Sequence, residues 1–225
     1  MARLSLLLLL PLGLFSMAAL SDLPLTEVPA RKAGRDLLAV VVSGSGGFVG
    51  LDRKMGNQLA KRGVPVVALS SHAYFGKPRD PASSSHDLAR ILGHYLAAWH
   101  KRHAIVIGYS QGADVVPFMV DRLPAALRSR VSEVALIGPD GGAQFELHPD
   151  RRTGDRAEGA EIPEAPEIPK LKGIRVLCVS GQQEKKSLCR QLSPDLADRF
   201  EVAGGHAFQG DAPVIAKRVL ADAGL

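Results

Sequence analysis

The chain has 225 residues, 46% of them hydrophobic and 23% charged, with a mean hydropathy of +0.05. That balance excludes a disordered chain and a multi-span membrane protein, and the length suits one domain whose core stands without metal or disulfide staples. A formal charge of +5 and a pI of about 9.4 favour an acidic partner surface such as anionic phospholipid, while 5% aromatic content and scattered basic residues give no sign of nucleic acid binding.

The opening MARLSLLLLLPLGLFSMAAL has the layout of an export signal, with Arg3 as the positive start, residues 4–15 as the apolar stretch and Ser16-Met17-Ala18 as a small-x-small cleavage site. Residues 1–18 are expected to be removed, leaving a periplasmic protein. Pro11 and Gly13 interrupt the apolar stretch, which disfavours a retained anchor, and no cysteine follows it to carry a lipid. Residues 19–36 are polar and contain proline, and read as a linker. In an oxidising compartment Cys178 and Cys189 are expected to pair; two cysteines without neighbouring histidines make a poor zinc set.

From residue 37 the pattern alternates. LLAVVVS (37–43) is a continuous apolar run that ends in glycines, as a strand buried on both faces does. In LDRKMGNQLAKR (51–62), Leu51, Met55 and Leu59 fall on one helical face, and Gly63 stops the helix. A strand follows at 64–69. Ser83 to Ser85 are expected to cap a helix running through Leu88, Ile91, Leu92, Tyr95, Leu96 and Trp99. Next come a strand at 103–108, a helix at 111–123, strands at 131–137 and 174–179, a short strand at 200–202 and a helix at 212–223. This order predicts a mainly parallel sheet of about six strands with helices on both faces, in a single domain over 37–225 with its site at the carboxyl ends of the strands. The stretch from about 139 to 170, which holds GAEIPEAPEIPK, is too long for an ordinary connection and reads as a surface excursion or a lid.

Gly108-Tyr109-Ser110-Gln111-Gly112 is a GxSxG string between a strand and a helix, the elbow that exposes a nucleophilic serine. Its glycines avoid collisions two residues either side of Ser110, and the helix start places N–H groups where negative charge develops. A base and an acid should follow in the order serine, acid, histidine. His206, in Gly204-Gly205-His206 between the last strand and the last helix, is the expected base, with His148 in the excursion as the other histidine downstream. Glu184, after the strand that reaches Ser180, is the expected acid; Asp140 is the alternative, and Glu184 acting only to neutralise Lys185 or Lys186 is a third reading. The oxyanion donors expected are the N–H groups of Gln111 and Ser45, the latter in the turn Gly44-Ser45-Gly46-Gly47. Asp114, one helical turn beyond Ser110, reads as a structural hydrogen-bonding carboxylate.

Gly44-x-x-Gly47-x-x-Gly50 also matches a dinucleotide phosphate turn. Against that stand Leu69-Ser70-Ser71, which supply no acid at the end of the next strand, and the lack of a Tyr-x-x-x-Lys pair. No cofactor and no metal are expected.

Taken together, GYSQGADVVPF, SGSGGF, VSGQQEKKSLC and GGHAFQGD resemble the bacterial virulence protein VirJ/AcvB family of exported α/β-hydrolases over roughly residues 37–224. The resemblance implies an α/β-hydrolase fold, a triad at Ser110, Glu184 and His206, and a cysteine pair, Cys178 and Cys189, flanking the acid. It also implies a periplasmic serine hydrolase that cleaves lysyl- or alanyl-phosphatidylglycerol, or a non-catalytic envelope protein that assists virulence-associated secretion. The chain departs from the family at Ser45, where Asp is usual, at Lys185 and Lys186, and around residues 72–77. GYSQGA alone is also similar to cutinases, which would imply a small-ester hydrolase. Glu158, Glu161, Glu164 and Glu167 in the excursion either face a cationic amino acid or simply solvate the loop.

Overall fold

A computed structural model describes residues 20–32, 34–147 and 161–223. In chain order they form β1 (Leu25–Val28), β2 (Leu37–Val42), α1 (Gly50–Lys61), β3 (Val66–Leu69), α2 (Ser71–Tyr74), α3 (Pro81–Ala98), β4 (His103–Tyr109), α4 (Gln111–Asp121), α5 (Ala125–Arg128) and β5 (Val131–Ile137). Then follow β6 (Gly142–Ala143), β7 (Ile162–Pro163), β8 (Arg175–Gly181), β9 (Asp198–Val202) and α6 (Ala212–Asp222). The export-signal reading falls on residues 1–18, outside the described residues. Among the described residues no helix is long and apolar enough to cross a membrane.

Seven strands make one sheet in the order β1-β3-β2-β4-β5-β8-β9, with every pairing parallel except that of β1 with β3. Side chains alternate across each strand, so the continuous apolar runs feed two cores at once. Leu38, Val40, Val42 and Val106 face the layer of α3 and α4, whereas Leu37, Ala39, Val41, Ile105 and Ile107 face α1 and α6. The buried strands β2 and β4 are rich in β-branched residues and carry no exposed face, which is why their sequence shows no polar alternation.

Three expectations change. The segment 19–36 is not all linker: Leu25–Val28 adds a seventh strand along β3, Pro24 accepts from the Ser70 N–H at 3.0 Å, and Leu23 is buried. Four residues, two of them polar, give too little periodicity to betray a strand, and the unpaired edge of β3 supplies what they lack. The cap of α3 is Asp80 rather than Ser83 to Ser85. Asp80 accepts from the Ser83 N–H at 2.8 Å, its own N–H donates to Ser83 Oγ at 3.1 Å, and Pro81 opens the helix.

The excursion is the third. Its near end, Gly142–Ala143, pairs with its far end, Ile162–Pro163, and a 3₁₀ segment, Ala165–Leu171, then packs Ile168 and Leu171 into the core beside α4. Both ends of the excursion are thus structured parts of the domain.

Cys178 on β8 and Cys189 in the 3₁₀ turn Leu188–Arg190 form a disulfide, with Cα atoms 5.4 Å apart and a sequence separation of 11. It pins the segment after β8, which carries Glu184, to the sheet. Replacing both cysteines with alanine is expected to lower the urea-unfolding free energy by about 3 kcal/mol, the loop-closure value for a ring of this size. A loss well under 1 kcal/mol would show that packing alone holds the segment.

Candidate functional site

Strand β4 ends at Tyr109 and α4 begins at Gln111, so Ser110 occupies the turn between them with φ 52° and ψ −122°. A serine rarely adopts this left-handed region, and about 1–3 kcal/mol of strain is usual there. Two glycines permit the turn. A Cβ on Gly108 would lie 2.3 Å from the Gly112 carbonyl oxygen, and one on Gly112 would lie 2.1 Å from the Val42 carbonyl oxygen. The backbone is held as well, since the Ser110 N–H donates to Ile137 O at 2.9 Å and Ser110 O accepts from Ala113 and Asp114.

Ser110, His206 and Glu184, from three separate elements, meet at the carboxyl edge. Ser110 Oγ lies 2.8 Å from His206 Nε2, and His206 Nδ1 lies 2.5 Å from Glu184 Oε1. An ionised carboxylate only accepts, so Nδ1 carries the ring proton and Nε2 accepts from the Ser110 hydroxyl. Glu184 is fixed in turn by the Gly181 N–H, which donates to its other oxygen at 2.5 Å. The Glu184 side chain is 9% exposed and that of His206 42%, so the acid is sealed while the imidazole is open toward the mouth. The bond to Glu184 raises the His206 pKa; desolvation opposes it, and the fields of Glu184, Asp140 and Asp114 add to the rise. Asp140 is exposed and its field adds to the rise, whereas the hydrogen bond that holds the ring at Nδ1 is that of Glu184. His148 lies outside the described residues.

Ser45 and Gln111 both reach the same edge. Their N–H groups have no protein acceptor among the described residues. The Ser45 carbonyl is engaged by His72 Nδ1 at 3.1 Å, and the Gln111 side chain donates to Gln144 O at 3.2 Å. The Ser45 carbonyl and the Gln111 side chain are thereby tied down, while the two backbone N–H groups have no protein acceptor among the described residues.

Asp114 fills the structural role its position suggested: Oδ1 accepts from the Asp140 N–H at 2.8 Å and the Gly141 N–H at 3.0 Å, fixing the loop after β5. Two glutamates of the excursion do something different from either expectation. Glu164 is fully buried, with its carboxyl against that of Asp114 and its N–H donating to Gly141 O at 3.0 Å. Glu167 is buried against Arg122 at 2.8 Å and Lys170 at 2.6 Å. Glu161 is exposed and accepts from Gln144, while Glu158 lies outside the described residues. A row of four acids facing a cationic substrate is therefore corrected. The composition of the loop suggested solvation, but its last turn folds back on α4 and takes two of the acids inside.

Sequence reasoning also passed over Tyr109. Its ring stacks on His206 at 5.8 Å between centroids and its hydroxyl donates to the His206 carbonyl at 3.2 Å, so the residue before the serine also locates the imidazole. The x of GxSxG carries no signal for that role. Among the described residues no cluster of histidine, cysteine and acidic side chains could hold a metal.

A family model described as bacterial virulence protein (VirJ) matches residues 36–224. The chain belongs to the VirJ family. No curated protein matches it. Among solved structures this VirJ chain is similar to an alpha-beta serine hydrolase homologue from Coxiella burnetii, with 13% identity, a TM-score of 0.60, and 88% of this chain and 90% of that one covered. It is also similar to Est1E from Butyrivibrio proteoclasticus, with 12% identity, a TM-score of 0.61 and coverage of 91% and 97%. A third is the esterase domain of a Rhodothermus marinus protein, with 12% identity, a TM-score of 0.60 and coverage of 87% and 89%. At such identities the likeness is one of architecture, and it makes the VirJ chain an α/β-hydrolase fold.

Burial pushes the carboxyls of Asp114 and Glu164 above their usual range, and the charge and hydrogen bond of Asp114 raise Glu164 further, so the pair retains a proton that the unfolded chain gives up. A raised folded pKa makes stability fall as pH climbs from the unfolded carboxylate value, about 4, through the folded one. Glu164→Gln supplies the bridging N–H without a titrating proton and should flatten that fall, making the variant more stable than the parent at pH 8 in urea unfolding. Equal loss in parent and variant between pH 4 and pH 8 would refute the shared proton.

Proposed function

We propose that the protein is a serine ester hydrolase in which Ser110 is the nucleophile, His206 the general base, Glu184 the orienting acid and the Gln111 and Ser45 N–H groups the oxyanion donors. The observation that carries this reading is the unbroken hydrogen-bonded chain from Ser110 Oγ through His206 to Glu184 beside two unused backbone donors.

His206 Nε2 takes the hydroxyl proton as Ser110 Oγ bonds to the ester carbonyl carbon, and the carbonyl oxygen gains negative charge near the Gln111 N–H at the start of α4 and the Ser45 N–H in the turn after β2. As the carbonyl re-forms, the ester C–O bond breaks and the leaving alkoxide takes the proton from His206. Water then attacks the acyl-serine, with His206 again as base, and releases the acid and the free serine. Glu184 stabilises the imidazolium in both halves.

The substrate we propose is an aminoacyl ester of phosphatidylglycerol, lysyl or alanyl, so that phosphatidylglycerol leaves first and the free amino acid second. Membership of the VirJ family and the net charge of +5, which favours an anionic lipid surface, support this choice. Export by cleavage after residue 18 and action in the periplasm belong to the same proposal, supported by the layout of residues 1–18 and by a disulfide of the kind oxidising compartments retain.

Purified residues 19–225 are expected to release amino acid from liposomes carrying lysyl- or alanyl-phosphatidylglycerol, and Ser110→Ala should lower the rate by on the order of 10⁴- to 10⁶-fold with the fold intact. Cleavage of a p-nitrophenyl ester but not of the lipids would keep the triad and remove the substrate. No Ser110-dependent release from either would leave the non-catalytic envelope role.

The pH profile offers a separate check. Catalysis needs neutral His206, so kcat/KM should rise with pH through a value above the ordinary histidine pKa of about 6.5. Glu184→Gln removes the largest cause of that elevation and should move the rise to lower pH while cutting kcat by about 10⁴-fold. A rise at unchanged pH in the variant would exclude Glu184 as the partner of His206.

A further inference from the structure

The turn that carries Ser45 has neither helix nor strand to hold it, yet it lies directly against the nucleophile. A Cβ placed on Gly44 would sit 3.2 Å from the Tyr109 ring and 3.6 Å from Ser110 Cβ. Ser43 and Ser71 fix the approach to the turn: Ser71 N–H donates to Ser43 Oγ at 2.9 Å, and Ser71 Oγ donates to Ser43 O at 2.6 Å. Within the turn the Gly47 N–H closes on Gly44 O at 3.0 Å. What remains is the Gly44 N–H, and its acceptor is a side chain from α1.

That side chain is Asp52, whose residue exposure is 0%. Its Oδ2 accepts from the Gly44 N–H at 3.3 Å and its Oδ1 from the Arg53 N–H at 2.9 Å. An acid in the first turn of a helix is favourable because of the helix dipole, but at no more than about 2 kcal/mol that benefit does not by itself account for burying a charge. Burial pushes the Asp52 carboxyl up to about 6, while the N–H groups of Arg53 and Gly44 favour its charged form. The two donors tie the start of the turn, at Gly44, to the first turn of α1, at Arg53.

We propose that Asp52 is the positioning residue of the oxyanion turn: its carboxylate holds the Gly44 N–H and so keeps the adjacent Ser45 N–H aimed at the oxygen that forms when Ser110 attacks. This rests on the ester-hydrolase reading above and adds a residue to it. Because Asp52 acts through the turn, it affects the tetrahedral state, where the oxygen carries charge, more than the bound ester. An amide in its place keeps one acceptor and turns an N–H₂ group toward backbone donors, which breaks the arrangement at nearly constant volume.

The test uses the p-nitrophenyl butyrate activity of residues 19–225. Asp52→Asn is expected to lower kcat about 10- to 100-fold, below the 10²–10³ typical of deleting a whole oxyanion donor, with KM within about twofold. Inhibition by an alkylboronic acid, which forms a tetrahedral adduct on the serine, should weaken in the same proportion. A folded variant with unchanged kcat, or with only KM raised, overturns the proposal. Amide hydrogen exchange in the unmodified protein decides the matter should the variant unfold: the Gly44 N–H is expected to be strongly protected despite its place in a loop, and rapid exchange overturns the proposal. A parent inactive on every ester would instead sink the hydrolase reading and the oxyanion role with it, while exchange still reports whether Asp52 holds Gly44.

Discussion

The approach of α4 to the end of β2 governs the whole carboxyl edge. With 2.1 Å between a Cβ at Gly112 and the Val42 carbonyl oxygen, only glycine lets the helix start where it does. Starting there, the helix leaves no room for an ordinary strand-to-helix connection, and Ser110 takes φ 52°. Strain of about 1–3 kcal/mol at one residue is tolerable because β2 and β4 are buried on both sides and cannot yield. The same close approach lays the amino end of α4 beside the turn after β2, so a single glycine brings the serine hydroxyl and the two unused N–H groups to one edge.

Around that elbow the loops are held by carboxylates. After β2, Asp52 accepts from Gly44; after β5, Asp114 accepts from Asp140 and Gly141; after β8, Glu184 accepts from Gly181. Each acid is largely buried, and each takes backbone N–H groups in place of water, which keeps the cost of burying it tolerable. Carboxylates suit this task because one side chain binds two or more donors from an irregular backbone that has no ladder to pair with. The arrangement differs between loops only in what else the acid touches: a histidine for Glu184, a second carboxyl for Asp114, and the Arg53 N–H of its own helix for Asp52.

Much of this was legible in the sequence, and the rest was not for identifiable reasons. Strand 131–137 and the elbow stood out because a long apolar run, or a serine spaced between glycines after one, fits few local structures. The acid could be narrowed but not fixed, since Glu184 and Asp140 both follow strands, and only the positions of the loops separate them. Leu25–Val28 was hidden by its brevity. Glu164 was misread because the acidic, proline-rich composition around it describes a solvated loop, whereas Ile168 and Leu171 a few residues later pull that end of the loop into the core. Asp52 sits beside Leu51 on a helix whose Met55 and Leu59 announce the buried face, so its burial was readable in principle. Its partner was not, because Gly44 contributes only backbone.

The acids near the imidazole also set the character of the proposed base. Glu184 by direct bond, and Asp140 and Asp114 by their fields, favour the protonated form of His206. The transition state needs that form, so these charges lower the barrier where the imidazolium appears; the same charges make the resting histidine easier to protonate as the medium turns acidic. The balance is steadied by geometry. Tyr109 stacks on the ring and bonds the His206 carbonyl, and Phe208 lies 6.1 Å away on another side, so the imidazole keeps its aim in either charge state. An imidazole that turned when protonated would lose the serine in the step that creates the positive charge. Holding the ring by its backbone and face, rather than by Glu184 alone, lets the electrostatics be strong without making the orientation depend on them.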